Sequence, residues 1–281
     1  MTATRRAWTL VIVSVGLFMV VLDNLVVSVA LPTIHRDLGA SIQSLEWTVN
    51  AYVLAYAALL LTGAALGDRF GRKRMFMVGI GLFTAASAAA ALAPSSGALI
   101  AARATQGLGA AIATPLTLTL LAAAFPQDRR GIALGVWSGI SGVAVALGPL
   151  VGGAVIQGLS WHWIFWINVP IGVILGPLAA RELEESQGPS RRIDLGGLVL
   201  ASGGLLSAIY GLIRAQTQGG TTRSCSPRWW PAWSCSARSP PGSSGQRSRC
   251  CRWSSSSAAP SRSPTASRSR CTSGCSARSS S

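Results

Sequence analysis

Gly67-Asp68-Arg69-Phe70-Gly71-Arg72-Lys73-Arg74 is a short, strongly basic stretch between two long apolar runs. Trp47 to Leu66 carries no charge except at its amino-terminal approach, and Met75 to Ala93 carries none. Each run is long enough to cross a hydrocarbon core of roughly 30 Å at about 1.5 Å per helical residue. Two spans joined this tightly must form an antiparallel hairpin, and the cationic joint stays on the cytoplasmic side. Gly67 and Gly71 suit the turn, because glycine accepts backbone angles that other residues resist. Asp68 follows one helix directly, where the positive dipole end of another helix could meet it.

Outward from this joint the chain reads as a polytopic membrane protein. Further spans are expected at Trp8–Leu31, Ala98–Ala122, Ile132–Val155, Trp161–Ala180 and Leu195–Ile213, with Pro32 closing the first. The last is the weakest signal: it contains five glycines and precedes an Arg-rich tail that insertion would push outward. Arg5 and Arg6 before an apolar run also fit a signal peptide. The length of that run, the absence of a small-x-small cleavage site and the interruption at Asp23 favour an uncleaved first span. Alternating the loops places Arg5, Arg6, Arg69, Arg72, Lys73, Arg74, Arg129, Arg130, Arg181, Arg191 and Arg192 on the amino-terminal side, against Arg36 and Arg214 on the other. That asymmetry puts the amino terminus in the cytoplasm. Trp47, Trp161 and Trp163 fall at the expected outer edges, where an interfacial aromatic belt would stand.

Charge divides the 281 residues into unlike parts. Residues 1–214 hold fourteen Arg or Lys against nine Asp or Glu; residues 215–281 hold ten Arg, no acid and all six cysteines. The domains expected are therefore a six-helix transmembrane bundle over 1–180, a cytoplasmic linker with a seventh helix over 181–214, and a Ser/Arg/Pro/Cys-rich tail over 215–281. Such a tail cannot bury enough apolar surface to offset the entropy lost on ordering, so disorder is expected there. It reads as coding sequence translated out of frame. A basic tail binding anionic lipid or nucleic acid on a non-transporting membrane anchor is the rival reading, although scattered cysteines and the absence of Lys speak against it. Cys250-Cys251 and Cys271/Cys275 lack partner ligands for a metal.

Inside the spans two charges stand out. Asp23 lies about 22 Å above the cytoplasmic edge of the first span, and Arg103 about 21 Å above it in the fourth, from the helical rise and a 30 Å core. Opposite charges at one depth imply an ion pair, since a lone charge in lipid is costly. The pair suits either a structural tie or a proton-sensitive Asp beside a fixed Arg: Asp exchanges its proton when its surroundings change, and Arg stays charged. In the fifth span Gly148, Pro149, Gly152 and Gly153 combine small residues with a helix breaker, and Gly135/Gly139 repeat the small-residue spacing, which lets helices approach closely. No enzyme is expected: the membrane part holds no metal-spaced His/Cys/Asp cluster, no phosphate-binding loop and no base near a nucleophile.

Four of these motifs together resemble the major facilitator superfamily. Asp68-Arg69-x-Gly71-Arg72-Lys73-Arg74 is similar to its loop signature, with Ala64 where the family has Gly and Gly63 one place earlier. Leu22-Asp23-Asn24 through Pro32 resembles the first-helix signature of its drug:proton antiporters, with Asn24 in place of a usual Thr. Arg103-Ala-Thr-Gln106-Gly107-Leu-Gly109 resembles the fourth-helix signature, and Gly148-Pro149-x-x-Gly152-Gly153 the antiporter motif. Trp161-His162-Trp163 through Gly172 resembles the fourteen-helix branch, with His162 replacing an Arg; a single His at an aromatic membrane edge takes no relay role here.

The resemblance implies an all-α membrane protein, the six-helix amino-terminal bundle of the major facilitator fold plus a seventh helix, lying in the cytoplasmic (inner) membrane. It implies proton-coupled efflux of small amphipathic molecules or drugs, with Asp23 and Arg103 coupling protons, Gln106, Gly107 and Gly109 beside them, and Asp68, Arg69, Gly71, Arg72 and Lys73 as the cytoplasmic gate. Gly148, Pro149, Gly152 and Gly153 would line the moving helix interface. The energy source would be the proton gradient, with no cofactor and no specific nucleic-acid partner. A carboxy-terminal bundle is missing from this chain, which is expected to be inactive alone. A sugar or metabolite transporter of the same superfamily is the alternative, disfavoured by the scarcity of polar residues in the spans.

Overall fold

The computed structural model describes residues 3–188 and 195–217, and within them every regular element is helical. In chain order these are α1 (Ala3–Leu38), α2 (Ile42–Phe70), α3 (Arg72–Ala91), α4 (Ser96–Ala124), α5 (Gln127–Gly158), α6 (His162–Trp166), α7 (Asn168–Glu182) and α8 (Leu195–Thr217). α6 and α7 are two pieces of one span, so the described residues contain seven helices long and apolar enough to cross a membrane. The linker residues Arg191 and Arg192 and the tail from residue 218 onward, with its cysteines, lie outside the described residues.

Each boundary has a local cause. Ser41 and Ser95 accept from the backbone N–H of Ser44 and Ala98, capping the starts of α2 and α4. Between α2 and α3 the turn is reduced to Gly71, whose φ of 103° is open to glycine and strained for other residues. The basic joint is therefore one residue wide. Pro32, expected to close the first span, instead sits inside α1, which continues to Leu38. The reason is burial: Ile34 is enclosed in the bundle, and tertiary packing outweighs the one backbone hydrogen bond that Pro cannot make.

α4 is the centre, with α2 and α3 packed closely along it, while α1 packs on α5 and α3 on α7. Small residues set these approaches. A Cβ on Gly63 would fall on the Ala111 carbonyl, and one on Gly109 would lie 2.6 Å from the Phe83 nitrogen. Gly63, rather than the position now held by Ala64, thus brings α2 against α4. α8 leans on α2 through the Thr62 and Ser202 hydroxyls, 3.2 Å apart, and the Trp47 and Tyr210 rings.

Two apolar clusters fill the bundle. One holds Ile12, Phe76, Ile80, Phe83, Leu116 and Leu175; the other holds Leu22, Val26, Ile34, Leu99, Trp161 and Phe165. Trp161 corrects the aromatic-belt expectation: it is fully buried, stacked on His162 and edge-on to Phe165, whereas Trp163 remains about half exposed. Burying so large a ring inside the second cluster removes more apolar surface from lipid-facing and interfacial positions than a surface site would.

Candidate functional site

A layer of buried polar residues lies in the seam between the two apolar clusters, while Thr9, Ser14, Thr84 and Thr117 are buried singly elsewhere. On α3 the seam residue is Ser87, between Phe83 and Ala90; on α4 it is Arg103 and Gln106, between Leu99 and Ala110. On α7 it is Asn168, following Phe165 and preceding Leu175. Asp23 of α1 and Thr48 and Tyr52 of α2 complete the layer, all of them buried.

Asp23 and Arg103 come together: Arg103 Nη1 lies 2.5 Å from Asp23 Oδ2, with both side chains fully enclosed. The same nitrogen donates to Gln106 Oε1 at 2.9 Å, Arg103 Nε donates to the Thr48 carbonyl at 3.4 Å, and the guanidinium lies 4.2 Å from the centre of the Tyr52 ring. The Gln106 amide donates to Asp23 Oδ1 at 3.2 Å and to Ser87 Oγ at 2.6 Å. The Asn168 amide donates to the same Oδ1 at 2.7 Å. Asp23 thus receives three side-chain donors from two other helices. A charge enclosed in apolar packing persists only when paired and hydrogen-bonded in this way.

Gly107 and Gly109 belong to packing rather than to this polar layer. A Cβ on Gly107 would lie 2.5 Å from the Tyr52 carbonyl, so its absence lets α2 bring Tyr52 against Arg103. Gly148 faces Leu25 and Gly152 faces Val26 and Val29, placing both at the α1–α5 contact two residues and more beyond Asp23. Gly153, Gly135 and Gly139 have no described atom near the position of a Cβ, so the close approach expected of Gly135/Gly139 is absent among the described residues. α5 runs unbroken through Pro149.

A second cluster forms at the basic joint. Arg72 holds the Asp68 carboxylate through Nε at 2.9 Å and Nη2 at 2.8 Å, a fork one helical turn long that bridges the end of α2 and the start of α3. The segment after α7 folds across it. Ser186 O accepts from Arg72 N, Gly188 N donates to Asp68 O, Glu185 Oε1 accepts from Lys73 N, and Lys73 Nζ donates to Ala180 O. Arg74 pairs with Glu185 and Arg5 with Glu184, while Arg69 stacks over Phe70. The start of α1, the basic joint and the end of α7 therefore share one face of the bundle.

Reading from sequence missed Asn168, Ser87, Thr48 and Tyr52, and it missed the whole clasp from Glu184 to Gly188. For Asn168 and Ser87 a signal existed, because a polar side chain within a span needs an internal partner. For the clasp there was none: a Glu in a short linker has no spacing that reveals its target.

Seven described helices long and apolar enough to cross a membrane, enclosing a paired carboxylate and guanidinium, define the class of polytopic helical membrane proteins. The family model of the Major Facilitator Superfamily matches residues 13–237, and the chain belongs to that superfamily. It is 39% identical over 218 residues to the tetracenomycin C resistance and export protein of Streptomyces glaucescens, covering 76% of this chain and 40% of that one. It is 42% identical over 217 residues to the cephamycin export protein CmcT of Amycolatopsis lactamdurans, covering 75% of this chain and 44% of that one. The chain thus spans less than half the length of these curated relatives, which are transporters rather than enzymes. Among solved structures, a peptide transporter in complex with sulfate superposes with a TM-score of 0.59 at 16% identity, covering 76% of this chain and 47% of that one. A bacterial homologue of the lysosomal transporter Spinster gives 0.55 at 18%, covering 69% and 47%. These likenesses carry the fold.

Proposed function

We propose that this chain forms the amino-terminal bundle of a proton-coupled exporter of small amphipathic molecules. Relatives at about 40% identity carry names of antibiotic export and resistance, which supports the substrate class. The observation that carries the mechanism is the enclosed Asp23–Arg103 pair. When Asp23 takes a proton, its charge is lost and Arg103 is left in need of another acceptor; the layer then favours a different arrangement of α1 and α4. Arg103 itself stays charged throughout.

The basic joint would be the cytoplasmic gate, with Asp68, Arg69, Gly71, Arg72 and Lys73 docking a second bundle when the cytoplasmic side is shut. The α1–α5 contact at Gly148 and Gly152, with Pro149 and Gly153 beside it, would shift as the bundles rock. The amino terminus lies in the cytoplasm and the protein in the inner membrane, in keeping with the cationic loops of that side. A second bundle completes the substrate path.

The test is pH-gradient-driven dye efflux from cells making this chain alone, and from cells making it with the carboxy-terminal half of an export relative. Efflux is expected only with the complement, and Asp23→Asn should abolish it. Efflux by the complemented protein that survives Asp23→Asn would overturn the proton-coupled reading. Efflux by this chain alone would overturn the need for a second bundle.

A further inference from the structure

Asn168 opens α7, and Ile167 between it and α6 keeps helical angles (φ −58°, ψ −34°) and donates to the Trp163 carbonyl at 3.0 Å. α6 ends at Trp166, α7 begins at Asn168, and Pro170 follows two residues later. Pro170 has no N–H to give the Trp166 carbonyl, so one backbone hydrogen bond is missing at this point of the span. Asn168 lies in the polar layer and is 1% exposed. Its amide donates to Asp23 Oδ1 at 2.7 Å, shorter than the 3.2 Å of the Gln106 amide to the same oxygen.

The two carboxylate oxygens have separate partners. Oδ2 faces Arg103, whereas Oδ1 faces only amide donors from Gln106 and Asn168. Gln106 is shared with Arg103 and Ser87, while the Asn168 side-chain amide donates to Asp23. The titratable groups packed on Asp23 from other helices are Arg103 of α4 and Tyr52 of α2, with Tyr56 stacked on Tyr52. Among the described residues, the side chains that α3 and α7 bring into the layer are the neutral Ser87 and Asn168. A neutral amide that donates to a carboxylate stabilises the ionised form and holds its orientation.

We infer that Asn168 is a positioning residue for proton exchange at Asp23, fixing the orientation of its Oδ1. This rests on the reading of Asp23 as the proton-exchanging group. It also makes α7 a participant, because α7 is the helix whose far end carries the clasp on the basic joint. A hydrogen bond to a charged group is worth enough that losing the Asn168 donor should raise the rate at which Asp23 is chemically modified by about tenfold.

The test follows the modification of Asp23 by a hydrophobic carbodiimide, which reacts with protonated carboxyl groups, in the full chain reconstituted in lipid nanodiscs and read by mass spectrometry. Asn168→Ala should label about tenfold faster than the unaltered chain. Asn168→Leu, with the same branched skeleton and no donor, should do the same and covers the case in which the smaller residue fails to fold. Ile171→Ala loosens α7 packing without touching the polar layer and should label at the unaltered rate. Equal labelling of Asp23 in the unaltered chain and both Asn168 variants, including none in any, overturns the inference. So does an Ile171→Ala rate as high as that of Asn168→Ala. Labelling needs no transport, so it can fail while the Asp23→Asn efflux result stands, and the reverse.

Discussion

Glu185 caps α3 from 112 residues away: its Oε1 accepts the backbone N–H of Lys73 at 3.0 Å. The first turn of a helix has N–H groups without intrahelical partners, and a carboxylate there is favoured by both hydrogen bonding and the helix dipole. Gly71, which directly precedes α3, supplies no side chain that could cap it, so the cap comes from the end of another span.

Removing this cap should be felt at the joint. Glu185→Ala is expected to lower bundle stability by about 1 kcal/mol, the usual cost of losing a helix cap. Chemical unfolding in detergent measures it, and hydrogen exchange at Lys73 and Arg74 should rise. A stability and exchange pattern identical to the unaltered chain would show that the clasp holds nothing.

Gly71→Ala should be worse than Glu185→Ala. It strains a φ of 103° and places a Cβ 2.7 Å from the Glu185 carboxylate, so both the turn and the cap are disturbed. A loss of about 2 kcal/mol is expected from a non-glycine residue at this backbone angle combined with the lost cap. The same unfolding measurement ranks the two variants.

Charge removal at the polar layer should show strong non-additivity. Arg103→Met leaves Asp23 as a buried carboxylate without its cation and is expected to cost about 3 kcal/mol or more. Adding Asp23→Leu to Arg103→Met should restore most of that loss. A double-mutant cycle on unfolding midpoints gives the coupling, and simple additivity would mean that the two charges do not interact in the folded bundle.

Glycines of similar appearance should behave oppositely. Gly109→Ala forces a Cβ to 2.6 Å from the Phe83 backbone and should destabilise by about 2 kcal/mol, as overpacking does. Gly153→Ala meets nothing among the described residues, so helix propensity alone should leave it neutral or up to about 1 kcal/mol more stable. Parallel unfolding curves of the two variants decide the point.

The placement of α8 can be fixed by cross-linking. With the tail cysteines replaced by Ser, Thr62→Cys and Ser202→Cys should form an intrachain disulfide on mild oxidation, because the native hydroxyls are 3.2 Å apart. Single variants should not form it. Absence of the cross-link would place α8 away from α2.

Much of the fold was legible because lipid imposes a simple rule: a span must be long, apolar and helical. Hence the six spans of the bundle and the seventh helix followed from long apolar runs, and the pairing of Asp23 with Arg103 followed from their common depth. Misreadings occurred where packing overrides a local preference. Pro32 has the chemistry of a helix end, yet burial of Ile34 carries α1 past it. Trp161 has the chemistry of an interface residue, yet the interior has room for its ring.

Charge, run length and spacing along the chain determined the helices, their alternation and the two opposed charges at one level. Only the tertiary structure decided what completes each site: Asn168 and Gln106 on the free oxygen of Asp23, and Glu185 on the first turn of α3. A helical period says which residues share one face of one helix. Which faces of α1, α4 and α7 meet depends on where glycines permit contact, and that is a property of the assembled bundle.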